Sequence, residues 1–456
     1  MDDTIAAIAT GGAISAIGIV RVSGPLAIDA AGAVFSAPGG VRLHDAEPRK
    51  LYYGELRGRD GGVIDACLCT ISRAPNSYTG EDTAEFQCHG SPVVLSEALL
   101  ALFSHGVRQA GPGEFTKRAF LNGRMDLSQA EAVIDLIEAE TPAAAKNAAG
   151  QLAGAISRRA DDVYGSLLDI IAHFHAVIDY PDEDIDDFQA EKYIKTLTDA
   201  ETALNNLLAT FERGQILKDG IPSAIAGRPN TGKSSLLNAL LGYDRAIVTA
   251  TAGTTRDTIE EKLRIGPALL RLIDTAGLRD TADEVERLGV LRTREAVSAA
   301  KLLIMVFDGS QPLCDEDYET LNLAAAAEHK IAVINKSDLP QVVCDDEIAK
   351  SGAAICRVSA LTGAGLDALE MEITRIFPTQ DAQNAGEVMT NARQFDAARR
   401  ACASIAAARD AIAQHITPDA VLTEVEAALA AIGEITGKTM REDITARIFE
   451  RFCVGK

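Results

Sequence analysis

The chain has no tryptophan, and aromatic residues make up only 5% of its 456 residues. It also has no apolar run of the ~18–20 residues that a membrane-spanning helix needs. The first ten residues, MDDTIAAIAT, carry acidic side chains where a secretory signal would be basic. We therefore expect a cytoplasmic protein without a stable membrane anchor. Frequent alanine-rich stretches favour a high helix content.

Closely spaced cysteine pairs of the C-x-x-C type are also missing, and the eight cysteines are scattered. Reduced thiols are the natural interpretation in a cytosolic chain. Cys67 and Cys69 would face the same side of a strand, as a metal pair or as part of the core, and we favour the core. His173 and His175 lie in a helical stretch, where a spacing of two points them to different sides. Neither pair predicts a metal site.

Positive charge is scarce, because 44 Lys and Arg stand against 66 Asp and Glu and give a net charge of −22. Phosphate binding relies on clustered basic residues. The composition therefore argues against a protein that binds nucleic acid over its general surface. It leaves room for one local basic patch, or for an RNA held mainly by another subunit.

The pattern along the chain divides it into four segments. Residues 1–118 mix short strand-like runs with turns and predict an α+β domain. Residues 119–218 carry apolar side chains at spacings of three and four, which predicts amphipathic helices. Residues 219–378 alternate apolar strands with helices, which indicates a mostly parallel sheet. Residues 379–456 begin with a linker-like stretch and return to helix, so a helical domain built from both flanks would surround an inserted α/β domain.

A phosphate-binding loop is indicated at GRPNTGKS, residues 227–234, which matches G-x-x-x-x-G-K-[ST]. It follows an apolar strand and precedes the helical run SLLNALL. Its glycines let backbone N–H groups approach phosphates, and Lys233 reaches the outer phosphates. Ser234 is placed to bind magnesium, and the helix N-terminus adds its dipole.

Four further motifs follow in order: GTTRD at 253–257, DTAG at 274–277, NKSD at 335–338 and SAL at 359–361. GTTRD offers a threonine for magnesium, and DTAG places a carboxylate and a glycine near the terminal phosphate. The last three motifs each end a predicted strand, and ligands bind at strand ends in such sheets. The series predicts a nucleoside triphosphatase.

The NKSD motif indicates which base is bound. The Asp338 carboxylate can accept two hydrogen bonds only from a base edge with two donors, which guanine offers through its ring N–H and exocyclic amine. Adenine presents an acceptor at that ring nitrogen and would leave the carboxylate poorly paired, at a cost of a few kcal/mol, or roughly a hundredfold in affinity. The predicted nucleotide is GTP.

The residue that orients the attacking water is not obvious. Ras-type GTPases use a glutamine directly after DTAG, but this chain has Leu278 there. Glu286 lies a short distance downstream and can hydrogen-bond water. On spacing alone, a surface carboxylate on a helix is the other interpretation of Glu286.

Taken together, these stretches resemble the MnmE (TrmE) family of tRNA-modification GTPases. The resemblance runs from DTIAAIAT to the last residue and includes AIGIVRVSG, PNSYTGED, GEFTKRAFLNGRMDLSQAEAVIDLI, DYPDEDI, DTAGLRDTADEVERLGV and FCVGK. It implies a multidomain α/β protein. An N-terminal α+β domain would bind folate and dimerise, a discontinuous helical domain would follow, and a Ras-like P-loop G domain would be inserted in it.

The resemblance also implies how GTP is bound and hydrolysed. Glu286 matches the family's water-positioning glutamate, and Ser234 and Thr255 would bind magnesium. A potassium ion would replace an arginine finger where two G domains meet, with ligands from Asn230, Thr249, Thr251 and Thr254. The expected GTP-binding residues are Asn230, Thr231, Gly232, Lys233, Ser234, Ser235, Thr249, Thr254, Thr255, Asp274, Thr275, Ala276, Gly277, Asn335, Lys336, Asp338, Ser359 and Ala360.

A reduced folate, as 5,10-methylenetetrahydrofolate or formyl-tetrahydrofolate, would bind at Arg21, Glu85, Arg124 and Lys456. Cations suit the glutamate carboxylates of folate, and Glu85 suits the donors of a pterin-like ring. Relatives look to have a lysine at position 124, where this chain has Arg124. The positive charge is kept, but its geometry and hydration differ.

Cys453 in the terminal FCVGK could be a lipid-anchor site, a core thiol or part of an active site. Prenylation would need a eukaryotic transferase and usually a basic stretch or a second acyl site. The family resemblance is a stronger signal than the match to a lipid-anchor motif. A thiolate can add to a pyrimidine ring, so Cys453 is a candidate catalytic residue. Nucleophile, acid and packing residue all stay open as its role.

The expected function is that of a homodimeric, potassium-dependent GTPase in tRNA modification. With an FAD-dependent MnmG-like partner, in a heterotetramer, it would add an aminomethyl or carboxymethylaminomethyl group to carbon 5 of the wobble uridine. The alternatives are a ribosome-assembly GTPase switch without modification chemistry and a membrane-anchored signalling GTPase.

Overall fold

A computed structural model describes residues 3–179, 190–243, 261–273, 296–378, 386–439, 448–449 and 452–455. The chain forms two compact units that alternate along the sequence. The first contains Met1–Ile134, Gln151–Leu204 and Asp396–Lys456, and the second contains Asp135–Gly150 and Asn205–Phe395. Within the part of the chain that the structure describes, no helix is both long and apolar enough to cross a membrane.

A seven-stranded sheet forms the centre of the N-terminal region. Its strands are β1 (Thr4–Ile8), β2 (Ser15–Ser23), β3 (Phe35–Ser36), β4 (Tyr52–Arg57), β5 (Val63–Ser72), β6 (Thr83–Gly90) and β7 (Val107–Gln109). They lie in the order β3-β4-β5-β6-β2-β1-β7, and only the β1–β7 pair is parallel. Helices α1 (Ala27–Val34) and α2 (Pro92–Phe103) cover this sheet and complete its core.

The alternation of buried residues along β5 and β6 explains three of the cysteines. Side chains on a strand point to opposite faces in turn, and Cys67, Cys69 and Cys88 all fall on the buried face. Burial in this apolar core raises the pKa of the Cys69 thiol. The core-packing interpretation of Cys67 and Cys69 is therefore confirmed. Among the residues the structure describes, no group of metal-ligating side chains large enough to hold an ion is found.

Helices dominate the segments on either side of a second sheet, whose strands lie between residues 221 and 357. They are α3 (Glu114–Leu121), α4 (Leu127–Ile137), α5 (Pro142–Leu152), α6 (Ala155–Asp179), α7 (Ala190–Leu208), α8 (Phe211–Asp219), and, after that sheet, α13 (Ala392–Ala413) and α14 (Pro418–Thr436). The apolar positions Val163, Leu167 and Ile170 on α6 are buried, as their spacing predicts. Phe211, which continues the pattern of α7 in the sequence, instead begins α8.

The second sheet has six strands: β8 (Ile221–Ala226), β9 (Glu261–Ile265), β10 (Ala268–Leu272), β11 (Leu302–Asp308), β12 (His329–Asn335) and β13 (Ala354–Arg357). The order is β13-β12-β11-β8-β10-β9, with only β9 antiparallel to its neighbour. Helices of this region are α9 (Lys233–Tyr243), α10 (Asp315–Leu323), α11 (Asp345–Ala349) and α12 (Leu366–Ile376). Every residue of β11 is buried, because a parallel sheet is covered on both faces. The predicted parallel strands are confirmed, whereas β9 has no counterpart in the prediction.

Candidate functional site

The turn between β8 and α9 comes so close to its neighbours that two positions require glycine. Gly227 has φ +153°, and a Cβ added there would lie 2.4 Å from the carbonyl oxygen of Val306. Gly232 has φ +94°, and its Cβ would lie 2.2 Å from Asn335 Nδ2. Side chains at either position would both strain the backbone and collide with β11 or β12. The glycines of the motif thus let the loop fit against the ends of the parallel strands.

Lys233 is the first residue of α9, and its ammonium lies over the loop. Its Nζ donates hydrogen bonds to the carbonyl oxygens of Gly227 at 2.7 Å and Arg228 at 2.9 Å. Burial lowers the pKa of the Lys233 ammonium. Ser234 and Ser235 follow in the same first turn, where helix N–H groups have no intrahelical acceptor. A cation, hydroxyls and backbone donors therefore meet at one helix N-terminus, the arrangement that binds phosphate.

Asn335, the last residue of β12, connects this loop to another one far away in sequence. Its Nδ2 donates to the Thr231 carbonyl oxygen at 2.9 Å, and its Oδ1 accepts from the Ala360 N–H at 3.0 Å. The side chain is buried, so both hydrogen bonds form in a low-dielectric environment where they are strong. One amide thus fixes the spacing of the loops that carry Thr231 and Ala360.

Asp338 lies at the same edge of the sheet, with its carboxylate held by Ser359. The Ser359 Oγ donates to Asp338 Oδ1 at 2.6 Å and accepts from the Thr362 N–H at 3.2 Å. Ser359 is completely buried, so its hydroxyl is held among the same neighbouring groups. The contact sets the orientation of the carboxylate that the sequence assigns to guanine.

Lys336 has an uncommon backbone conformation with φ +61°. Its Nζ donates to Asp308 Oδ2 at 2.6 Å. Asp308 is a buried residue of this site that the sequence analysis missed. Its place at the end of an apolar strand is the signal that could have indicated it, since ligands bind at that edge of a parallel sheet.

The structure therefore brings together eleven of the residues expected to bind GTP. They come from the β8–α9 turn and from the ends of β12 and β13, and they are Asn230, Thr231, Gly232, Lys233, Ser234, Ser235, Asn335, Lys336, Asp338, Ser359 and Ala360. The other expected residues of the nucleotide and ion sites lie outside the described residues, namely Thr249, Thr251, Thr254, Thr255, Asp274, Thr275, Ala276, Gly277 and Glu286.

In the N-terminal sheet, two of the expected folate residues are directly paired. Arg21 on β2 and Glu85 on β6 are opposite each other in the strand register, and Arg21 Nε donates to Glu85 Oε1 at 2.6 Å. The guanidinium carbon of Arg21 lies 5.3 Å from the centre of the Tyr78 ring and 5.6 Å from that of Phe115. These two aromatic rings were not expected from the sequence. A cation, a carboxylate and two ring faces make a half-buried polar site.

Arg124 borders the loop that carries Tyr78. Gly80 in this loop has φ +80°, and a Cβ there would lie 3.2 Å from Arg124 Cγ. The Tyr78 hydroxyl is within 2.9 Å of Thr116 Oγ1. Arg124 is therefore on the same side of the domain as Tyr78.

The C-terminal segment lies against the N-terminal domain. Val454 forms a β-bridge with Pro112, and the Gly113 N–H donates to the Cys453 carbonyl oxygen at 3.3 Å. A Cβ on Gly455, whose φ is +103°, would lie 2.2 Å from the carbonyl oxygen of Ile8. The Cys453 residue is exposed. Lys456, the fourth expected folate residue, is outside the described part of the chain.

A buried arginine supports this region and was also missed in the sequence. Arg118 on α3 is fully buried, and its guanidinium forms ion pairs with Asp3 at 2.8 Å, Glu114 at 3.0 Å and Glu81 at 3.1 Å. Buried charges persist where they are paired and hydrogen-bonded. Through Glu81, Arg118 anchors the PNSYTGED loop that carries Tyr78.

The parallel sheet, the phosphate loop and the Asn335–Asp338 turn together define a P-loop protein of the guanine-nucleotide-binding class. Two family models match the chain. The model described as "GTP-binding protein TrmE N-terminus" matches residues 4–124, and the one described as "MnmE helical domain" matches residues 127–453. The chain belongs to the MnmE family.

Similar proteins match over the full length. A protein named "tRNA modification GTPase MnmE" from Heliobacterium modesticaldum is 44% identical over 100% of this chain and 99% of its own. One of the same name from Roseiflexus sp. is 41% identical, again over 100% of this chain and 99% of its own. Among solved structures, a point variant of Aquifex aeolicus Era bound to GDP·AlF4⁻ is 29% identical over 40% of this chain and 65% of its own, with a TM-score of 0.27.

Proposed function

We propose that this protein is a GTPase that acts in tRNA modification. The observation that carries the GTPase part is the link through Asn335 between the phosphate loop and the loop of Ala360, next to an oriented Asp338 carboxylate. That arrangement suits a guanine base on one side and a polyphosphate on the other. The tRNA part rests on the full-length similarity to proteins named tRNA modification GTPase MnmE.

In the proposed reaction, backbone N–H groups of the phosphate loop and Lys233 bind the phosphates, and Asp338 binds the base. Glu286 accepts a hydrogen bond from the attacking water and orients it toward the terminal phosphorus. Glu286→Ala should abolish turnover and leave nucleotide affinity nearly unchanged. Equal turnover by this variant would contradict the role of Glu286.

Two cations are part of the proposal. The hydroxyl of Ser234, at the start of α9, and that of Thr255 are hard oxygen ligands of the kind that magnesium prefers. The side chain of Asn230, in the phosphate loop, and oxygens of Thr249, Thr251 and Thr254 would hold potassium. Such ions supply positive charge where negative charge develops on the transferring phosphate.

A reduced folate is proposed to bind near Arg21, Glu85, Arg124 and Lys456. Support comes from the donor set itself, because the Arg21–Glu85 pair lies beside the Tyr78 and Phe115 rings. Guanidinium groups suit carboxylates, and aromatic faces suit a planar ring. Titration with 5-formyl-tetrahydrofolate should give a heat or fluorescence change, and its absence would contradict this assignment.

Cys453 is proposed to take part in the one-carbon chemistry, because the tail that carries it lies against the N-terminal domain. Whether it serves as nucleophile, acid or packing residue can be read from the Cys453→Ser and Cys453→Ala variants. If Cys453 is a nucleophile, both variants lose modification activity. If it is a proton donor, the serine variant keeps part of that activity. If it only packs, both variants keep it.

The assembly we propose is a homodimer that joins an FAD-dependent MnmG-like protein in a heterotetramer. Together they would add an aminomethyl or carboxymethylaminomethyl group to carbon 5 of the wobble uridine, in the cytoplasm, where tRNA is decoded. The net charge of −22 fits a complex in which the partner supplies much of the RNA-binding surface.

Mass spectrometry of tRNA nucleosides from strains with and without the gene tests the whole proposal. Loss of the modified wobble uridine in the deletion strain is the expected result. A deletion strain that keeps full modification but accumulates ribosome precursors would instead favour the ribosome-assembly switch.

A further inference from the structure

Asp308, at the end of β11, is a rigid buried anion beside the nucleotide site. Only 3% of its side chain is exposed. Its Oδ1 accepts hydrogen bonds from the Ser310 N–H at 3.0 Å and the Ser310 Oγ at 2.6 Å. Its Oδ2 accepts from Lys336 Nζ at 2.6 Å. Both oxygens are therefore used, and the carboxylate has little freedom to turn.

The turn that contains Lys336 is held in place at several points. The Gly309 N–H donates to the Asn335 carbonyl oxygen at 2.9 Å, and Gln341 Nε2 donates to the Lys336 carbonyl oxygen at 3.0 Å. Lys336 has φ +61°, a conformation that costs free energy for a residue other than glycine and persists only where the surroundings enforce it. Of these ties, the one from Asp308 is the only ion pair.

We propose that Asp308 is a positioning residue for guanine-nucleotide binding, which acts by holding the Lys336 side chain and, through it, the Asn335–Asp338 turn. The inference rests on the proposed GTP binding. Lys336 stands between Asn335, which fixes the phosphate loop, and Asp338, which faces the base. A shift of this one residue would therefore disturb both ends of the site.

The hydrogen bonds around Asp308 favour its charged form, which this role requires. Burial on its own would raise the pKa of the Asp308 carboxyl, but the hydrogen bonds from Lys336 and Ser310 outweigh it, and the pKa is lowered. A hydrogen bond between charged groups contributes more than a neutral one. Without its partner, the Lys336 ammonium would sample many rotamers, and binding would have to restrict them again.

The test is a titration of the full-length protein with fluorescent GDP in magnesium buffer, together with stopped-flow dissociation. Asp308→Asn keeps the size of the side chain and removes its charge, and Asp308→Ala removes the anchor. We expect Kd to rise about 10- to 100-fold, mainly through faster dissociation. Xanthosine diphosphate should remain a weak competitor, because Asp338 still determines the base.

A double-mutant cycle with Lys336→Met separates positioning from a general structural role. If Asp308 acts through Lys336, adding Asp308→Asn to Lys336→Met weakens binding no further. Multiplied losses in the double variant would overturn the inference, as would an Asp308→Asn variant that binds within twofold of the wild type.

Glu372→Gln is the matched control, because it removes another ion pair of the same region, with Arg375 on α12. It should bind GDP like the wild type, and a loss equal to that of Asp308→Asn would overturn the inference. A wild-type protein that binds no guanine nucleotide would overturn the proposed function as well. Normal wild-type binding with unchanged Asp308 variants would overturn the role of Asp308 alone.

Discussion

Asp338 is the residue whose replacement should change the choice of base. Ser359 holds one of its carboxylate oxygens, so an Asp338→Asn side chain would keep the position but present an amide. An amide N–H cannot accept from the guanine amine, whereas it can donate to the carbonyl that xanthine carries in its place. We expect GTP affinity to fall roughly a hundredfold and xanthosine triphosphate to become the better ligand in competition titrations.

The control for this prediction is Ser359→Ala, which frees the carboxylate without changing its charge. It should weaken GTP binding less than Asp338→Asn and leave the preference for guanine unchanged. An Asp338→Asn variant that still prefers GTP to xanthosine triphosphate would contradict the base assignment.

The residues of this site that the sequence predicts are those of contiguous motifs. Lys233 and Ser234 are recognisable because their spacing from two glycines is itself the signal. Asp308, in the same site, and Arg118, in the N-terminal domain, belong to no such motif. Asp308 meets Lys336 only because β11 and β12 are neighbours in the sheet. Arg118 resembles the exposed side of an amphipathic helix until Asp3 and Glu81 surround it.

At the scale of elements, the first turn of α3 should make the N-terminal domain sensitive to acid. Burial acts to raise the pKa of Glu114, but hydrogen bonds from Arg108, the Gly111 N–H and Arg118 lower it to about 2. A carboxyl whose pKa is lower in the folded state stabilises the fold above its unfolded value of 4.5. This stabilisation is lost as pH falls from there through about 2.

The variant Glu114→Gln tests this expectation. It should lower the free energy of unfolding at pH 7 by on the order of 3 kcal/mol, with the difference from wild type shrinking as pH approaches 2. Urea unfolding at pH 7 and pH 3 measures it. Glu47→Gln, which disturbs an exposed pair with Lys50, should unfold like the wild type at both values. A pH-independent difference for Glu114→Gln would contradict the argument.

Helices and strands can be predicted from the sequence where the apolar pattern is local. They are missed where pairing with a neighbouring strand, or a break between two helices, determines the structure. Strand β11 and the middle of β12 are apolar runs because helices cover both faces of the sheet, and such runs are visible in the sequence. The strand β9 is short and polar, EKLRI, and it becomes a strand because β10 pairs with it through a tight turn. Phe211 continues an apolar spacing, yet a break after Leu208 places it on the next helix.

At the scale of the whole molecule, turnover should depend on the potassium ion that we propose in the nucleotide site, where two G domains would meet. We expect GTP hydrolysis to be about tenfold or more slower in sodium than in potassium, because the proposed potassium ion would supply positive charge where negative charge develops on the transferring phosphate. Asn230 has φ +64°, so Asn230→Gly keeps the backbone and removes only the side-chain ligand. That variant should hydrolyse GTP equally slowly in both salts.

Turnover by the wild type that is equal in sodium and potassium would contradict the role of the ion. If the Asn230→Gly variant is still faster in potassium than in sodium, the ion is held by ligands other than the Asn230 side chain. Sedimentation with GDP and aluminium fluoride should show that two copies of the protein associate in the potassium salt, in which turnover is fast, and not in the sodium salt.

The proposed folate site and the proposed GTP site lie in different compact units of the chain, so a single substitution should separate them. In Gly455→Val, the added side chain meets a backbone with φ +103° and the carbonyl oxygen of Ile8, 2.2 Å from its Cβ. The tail with Cys453 should therefore leave β1. GTP hydrolysis should stay within twofold of wild type, while binding of 5-formyl-tetrahydrofolate and wobble-uridine modification should be lost. Val454→Ala keeps the backbone bridge to Pro112 and should retain all three activities. Folate binding by Gly455→Val at wild-type affinity would show that the tail is not part of that site.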